Sequence, residues 1–161
     1  MNLRTSLRIS IIFIGFIVFS ACSSEDDDSS SSNSSETINE IVNNVQSGDW
    51  IITEFIDSGE NEINHFTGYT FTFSSNGDLI ATNSETTLTG TWSVTNDSNS
   101  DDDSPDDSDL DFNIFFNVAE SNNFEDLNDD WDILSYSSSK IELIDISGGN
   151  GGTDYLTFEK N

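Results

Sequence analysis

The chain has 161 residues, with four Lys or Arg against 31 Asp or Glu and a formal net charge of −27. Such a surface repels phosphates and acidic headgroups, which excludes nucleic-acid binding and electrostatic attachment to an anionic bilayer. The lone cysteine, Cys22, excludes an internal disulfide and a thiolate metal site in the folded region, so stability must come from an apolar core.

The first element is a leader. Arg4 and Arg8 precede the apolar run 9–19, which has the length of a signal-peptide core and falls short of the ~20 apolar residues a spanning helix needs. Phe19-Ser20-Ala21-Cys22 resembles a bacterial lipobox, with Phe19 where Leu, Val or Ile is usual. That resemblance implies a lipoprotein signal peptide over 1–21 and an acylated Cys22 as the new first residue. Ordinary secretion with an exposed thiol is the plainer reading, and a free thiol is a liability in an oxidising compartment. Ser23-Ser24-Glu25-Asp26-Asp27-Asp28 resembles the export signal of Bacteroidota-type surface lipoproteins, which implies an outer-membrane anchor facing the cell exterior. Without that resemblance the same residues read as a solvated tether. Loss of Arg4 and Arg8 with the signal leaves Lys140 and Lys160 as the cations, so the bilayer is contacted through the lipid on Cys22. Residues 22–35, rich in Ser, Asn and acid, cannot bury enough apolar surface to order themselves and read as a tether. One domain is expected over 36–161.

Ile38, Ile41, Val42 and Val45 fall at i, i+3, i+4 and i+7, predicting a short helix with Ser35 as N-cap and Gly48 as stop. Downstream, apolar residues alternate with Thr, Ser, Asn and acids, predicting strands near 50–57, 68–74, 79–84, 87–95, 111–118, 131–136, 140–146 and 153–159. Asn76-Gly77 marks a tight hairpin by supplying positive φ angles. Short links among the last three strands make them antiparallel neighbours. Eight such strands bury one face and lose both sheet edges by closing into an antiparallel up-and-down barrel, so the expected class is all-β with one preceding helix. A β-sandwich needs the same alternation and is the alternative.

Gly48-Asp49-Trp50 follows the helix and opens the first strand. It resembles the Gly-x-Trp signature of lipocalins, in which the tryptophan plugs the closed end of an eight-stranded barrel. Gly90-Thr91-Trp92 is a second such triplet, as in small lipocalin-like domains of bacterial surface lipoproteins. The resemblance spans 36–161 and implies barrel-closing roles for Gly48 and Trp50. The arginine that lipocalins lay across the tryptophan is missing, since no arginine follows Arg8, and Lys160 is the cation placed to substitute. The disulfide common in secreted lipocalins is missing too.

Candidate chemistry is sparse. The insertion 97–111 carries eight aspartates, and Asp97, Asp101 and Asp103 match part of an EF-hand spacing. They are a candidate weak Ca2+ site, although Asp102 stands where the turn glycine belongs and Ser108 where the bidentate glutamate belongs. A run of like charge is more commonly a solvated insertion. The stretch 148–154 puts Thr153 where a glycine-rich calcium repeat needs aspartate and occurs once, so it reads as a hairpin loop. Glu125, Asp126, Asp129 and Asp130 could pair as hydrolytic carboxylates, but with 31 acids in the chain pairing carries no specificity. Phe124 and Leu127 are expected to anchor that connection from within. His65, the lone histidine, reads as a loop residue, and no nucleophile elbow or phosphate loop occurs.

No enzymatic activity and no required cofactor are expected. The leading reading is a membrane-anchored, lipocalin-like module that binds a small apolar or amphipathic ligand, with Tyr69, Phe71, Trp92 and Phe116 on the cavity wall. The alternative is a surface interaction or structural lipoprotein with a filled barrel. Phe112 and Phe116 are expected inside and Phe115 outside, where it is free to meet a ligand or partner.

Overall fold

The computed structural model describes residues 30–96, 110–146 and 152–161. They form one helix, α1 (Ser30–Val45), and nine strands: β1 (Asp49–Asp57), β2 (Glu60–Asn61), β3 (Thr70–Phe73), β4 (Asp78–Thr82), β5 (Thr87–Asn96), β6 (Leu110–Phe115), β7 (Asp129–Tyr136), β8 (Lys140–Ile146) and β9 (Thr153–Lys160). Two single turns of 3-10 helix, η1 (Ile63–Phe66) and η2 (Glu125–Leu127), sit in the connections.

Every pairing is antiparallel, and β1 pairs with β3 on one side and β9 on the other. The eight long strands therefore close into a barrel, while β2 extends only the far end of β1. Closure ties the first long strand to the last and leaves the two-residue β2 as a terminal strand paired on one side only. Ser58 (φ 49°) and Gly59 (φ 86°) turn the chain from β1 into β2, both with the positive φ of a type I′ hairpin turn. The β3–β4 hairpin differs from the expectation: Gly77 alone has positive φ, 86°. The turn is closed by the Gly77 N–H donating to the Ser74 carbonyl at 3.1 Å.

α1 begins at Ser30 rather than after Ser35, so the last residues of the expected tether are helical. Serine is only mildly unfavourable inside a helix, and the apolar face two turns downstream fixes the segment against the barrel. On that face Ile41 and Val45 are fully buried, with Ile38 and Val42 packed beside them. The helix covers the barrel end at which β1 starts and β9 finishes. There the Trp50 indole N–H donates to the Val45 carbonyl at 2.8 Å, satisfying one of the carbonyls a helix C-terminus leaves without a partner.

Inward residues alternate along each strand: Phe71 and Phe73, Leu79 and Ala81, Phe112 and Ile114, Trp131 and Ile133, Ile141 and Leu143, Leu156 and Phe158 are all buried. Two register shifts interrupt the pattern, one between Ile52 and Glu54 and one between Ile133 and Ser135. The second turns Leu134 outward, where it is exposed, as a bulge does.

Candidate functional site

The barrel interior is the first place to look for a ligand, and it is filled. Phe71 meets Phe158 (5.4 Å between ring centroids) and Phe124 (6.2 Å), and Phe73 meets Trp92 (5.3 Å), Phe112 (5.6 Å) and Phe158 (5.4 Å). These are the edge-on and offset geometries that aromatic quadrupoles favour. The mouth opposite α1 is plugged from the connections. Phe124, just before η2, packs against Phe66, Tyr69, Phe71 and Phe116, and Leu127 is fully buried.

Of the four expected wall residues, Phe71 and Phe116 are buried in this aromatic cluster and line none of the clefts described below. Trp92 is buried as well, its indole N–H donating to the Ser74 carbonyl at 3.1 Å. Tyr69 lies at the mouth and lines two open clefts. One, of about 380 Å³, adjoins His65, Leu88 and Phe124, and the other, of about 370 Å³, adjoins Ile52, Phe66 and Asn161. Phe66 falls between the expected strands 50–57 and 68–74, where no alternation marks it as a core residue. In η1 it is buried against Phe55 at 5.2 Å.

At the closed end, Gly48 adopts φ 126°, and the Lys160 ammonium stands 5.2 Å from the Trp50 ring centroid. It also donates to Ser47 Oγ at 2.8 Å. Cys22, Asp97, Asp101 and Asp103 lie outside the described residues. Among the described residues no group of three or more His, Cys, Asp or Glu side chains is placed to hold a metal, and no helix is long and apolar enough to cross a membrane. His65 pairs with Glu62, Nδ1 to Oε2, at 3.3 Å.

The third cleft, of about 530 Å³, lies on the outer wall where β5, β6 and β7 run side by side. Phe115 stands in its lining at 54% exposure, while every other described phenylalanine is buried. Around it the register sets Thr91 opposite Phe115, Ser93 opposite Asn113, and Asp130 opposite Asn113 on the other side. Beneath this face the Asn128 side chain holds both main-chain groups of Phe116, accepting its N–H and donating Nδ2 to its carbonyl at 3.0 Å. This carries the β6–β7 pairing past its last ladder residue, Ile114 opposite Asp129.

Asp129, at the rim, is pushed up to about 7, first by burial, then by its hydrogen bond with Asp130 and by the charge of Asp145. Asp126 is also raised, mainly by burial and by Asp57, Glu62 and Glu125 nearby. Nothing in the sequence singles out Asp129 among 31 acids, because desolvation, the largest cause of its shift, and the approach of Asp145 on β8 are supplied only by the fold.

No protein-family model matches the chain, and no curated protein matches its sequence. Among solved structures, a DUF4847 family protein from Bacteroides vulgatus is similar at 18% identity and a TM-score of 0.43, over 73% of this chain and 94% of that one.

Proposed function

We propose that this protein is a lipid-anchored, non-enzymatic module of the outer membrane, displayed to the exterior, whose filled barrel is a rigid scaffold for recognition on its outer surface. The packing of Phe124 against Phe66, Tyr69, Phe71 and Phe116 carries this reading. A pocket for a drug-sized ligand measures about 300–1,000 Å³ and encloses most of its guest, whereas here rings occupy the axis and the clefts open outward. The anchor rests on Cys22 and its flanking residues. The scarcity of Lys and Arg supports a covalent lipid as the bilayer contact.

A second reading keeps the small apolar or amphipathic ligand and seats it at the mouth. It is favoured by Tyr69, which lines a cleft there and a second one that runs along β1 to Asn161. Native mass spectrometry of the full chain, followed by titration with fluorescent fatty acids and retinoids, separates the two. The scaffold reading expects an empty protein with no saturable uptake. A co-purified lipid, or uptake abolished by Tyr69→Ala, would establish the mouth site instead.

A further inference from the structure

The outer wall holds a chemically mixed surface that the filled-barrel reading leaves without a role. Phe115 exposes apolar area to water at 54% exposure, while its strand neighbours Ile114 and Phe116 face inward and are buried. Trp92 and Ile114 also border the cleft, but the residues that share the outward face with Phe115 are polar. Thr91 lies across the ladder, Asn113 is two residues back on the same face, and Ser93 and Asp130 flank Asn113 on either side. Ladder geometry spaces such neighbours by about 5 Å across strands and about 7 Å along them, so hydroxyl, amide and carboxylate groups border one edge of an exposed ring in an open cleft of about 530 Å³.

We propose that the Phe115 cleft is a carbohydrate subsite that stacks the apolar face of a neutral pyranose on the phenyl ring and hydrogen-bonds its hydroxyls through Asn113, Ser93 and Asp130.

A pyranose presents C–H groups on one face and, around its rim, hydroxyls that both donate and accept. Asn offers a donor and an acceptor, Ser and Thr offer both, and an ionised Asp accepts only. Asn113 already donates one Nδ2 hydrogen to Thr95 Oγ1 at 2.9 Å, and a lipid would desolvate its remaining amide groups and the Thr91 and Ser93 hydroxyls, at about 1–3 kcal/mol for each group left unpaired. A phosphorylated, sulfated or uronic ligand meets no cation in the lining and a chain charge of −27. An extended peptide finds no strand edge, because β5, β6 and β7 are each paired on both sides. An organic cation is the nearest competitor. Against it, burial and the hydrogen bond with Asp130 push Asp129 up to about 7, so near neutrality the Asp129–Asp130 pair carries less than two full charges.

This inference rests on the outer-surface reading of function and is tested apart from it. The full chain in a sugar-free detergent is examined by saturation-transfer NMR with methyl glucoside, methyl galactoside, methyl mannoside and N-acetylglucosamine, and with glucuronate and putrescine. Transfer to at least one neutral pyranoside is expected, falling roughly tenfold in Phe115→Ala, as the loss of a stacking contact predicts. It should fall likewise in Asp130→Ala and persist in Tyr69→Ala. Phe115 is exposed, so its variant should keep the near-UV dichroism of the parent. The inference is overturned by silence from all four pyranosides, by transfer that survives Phe115→Ala, or by binding of putrescine in their place. Fatty-acid uptake by the barrel would instead overturn the scaffold reading, and silence from the sugars with an empty barrel would leave that reading standing.

Discussion

Lys160 lies over Trp50, with its ammonium 5.2 Å from the ring centroid and hydrogen-bonded to Ser47 Oγ at 2.8 Å. The last strand is thereby tied to the corner between α1 and β1, and the indole N–H is held by the Val45 carbonyl. A cation over an aromatic face contributes about 0.5–2 kcal/mol, depending on desolvation. Lys160→Met, which keeps the apolar stem, should lower stability by about 1 kcal/mol with an unchanged urea m-value, while Lys160→Arg should stay close to the parent. Equal midpoints for all three proteins would show that the contact is idle.

Gly90 is required for space. Its φ is ordinary, but a Cβ there would collide with the Phe115 carbonyl oxygen and stand 2.7 Å from Phe116 Cδ1. The carbonyl belongs to a paired strand and Phe116 is held by Asn128, so neither neighbour can yield. Gly90→Ala should cost about 2–3 kcal/mol, as overpacking does. It should also broaden the amide signals of Phe115 and Phe116. A variant within about 0.5 kcal/mol of the parent would mean that β6 shifts freely.

Asp129 ionises near about 3.9 in the unfolded chain and is pushed up to about 7 in the folded protein. The native state holds this proton more tightly, so the associated stabilisation is complete below about pH 4 and is lost as pH rises through 7. Asp129→Asn retains an acceptor for the Asp130 N–H, which donates to Asp129 Oδ1 at 2.9 Å, and cannot ionise. Its advantage over the parent should be near zero at pH 4 and on the order of 1 kcal/mol at pH 8, since solvent trims the effect at a half-buried site. Parallel stability curves from pH 4 to 8 would show that the carboxyl is not perturbed.

The fold was legible because one period dominates the chain. Tyr69, Phe71 and Phe73 against Thr70, Thr72 and Ser74 place a strand by alternation alone, and Ile38 to Val45 place the helix by spacing. Phe112 and Phe116 inside with Phe115 outside followed from the same rule, and that is how they lie. Phe66 and the reach of Phe124 across the mouth were harder to see. Residues that enter a core from a 3-10 turn have no repeat to betray them, although Phe124 and Leu127 stood out as lone apolar residues among acids. Whether an eight-stranded barrel is hollow depends on those few connection residues, so the cavity expected around Phe71, Trp92 and Phe116 could not be tested by strand pattern. The outer cleft depends on cross-strand register, which sequence leaves open until the barrel closes.

Phe124 is the residue by which a hollow barrel differs from this one. Its ring is buried against four aromatic neighbours. Phe124→Ala should destabilise by about 3–5 kcal/mol, combining lost transfer energy with a residual void. An apolar void of that kind stays dry and admits small apolar guests. Benzene or xenon should therefore raise the melting temperature of Phe124→Ala and leave the parent unchanged. A parent that responds equally would already contain a cavity, and the outer-surface proposal would lose its main support.

Cys22 sets the expected address, and its loss should separate anchoring from folding. Two or more acyl chains hold a protein firmly at a bilayer, at about 0.8 kcal/mol per buried methylene, and a chain with 31 acids and four bases has little electrostatic attraction to add. The apolar face of α1 is already committed to the barrel through Ile41 and Val45. Cys22→Ala should therefore shift the protein from the membrane to the soluble fraction while its melting temperature stays within about 2 °C of the parent, because the described core is built from residues between Ile41 and Phe158. External protease should digest the parent on intact cells if the chain faces outward. A Cys22→Ala protein that remains in washed membranes would show that another segment holds the bilayer.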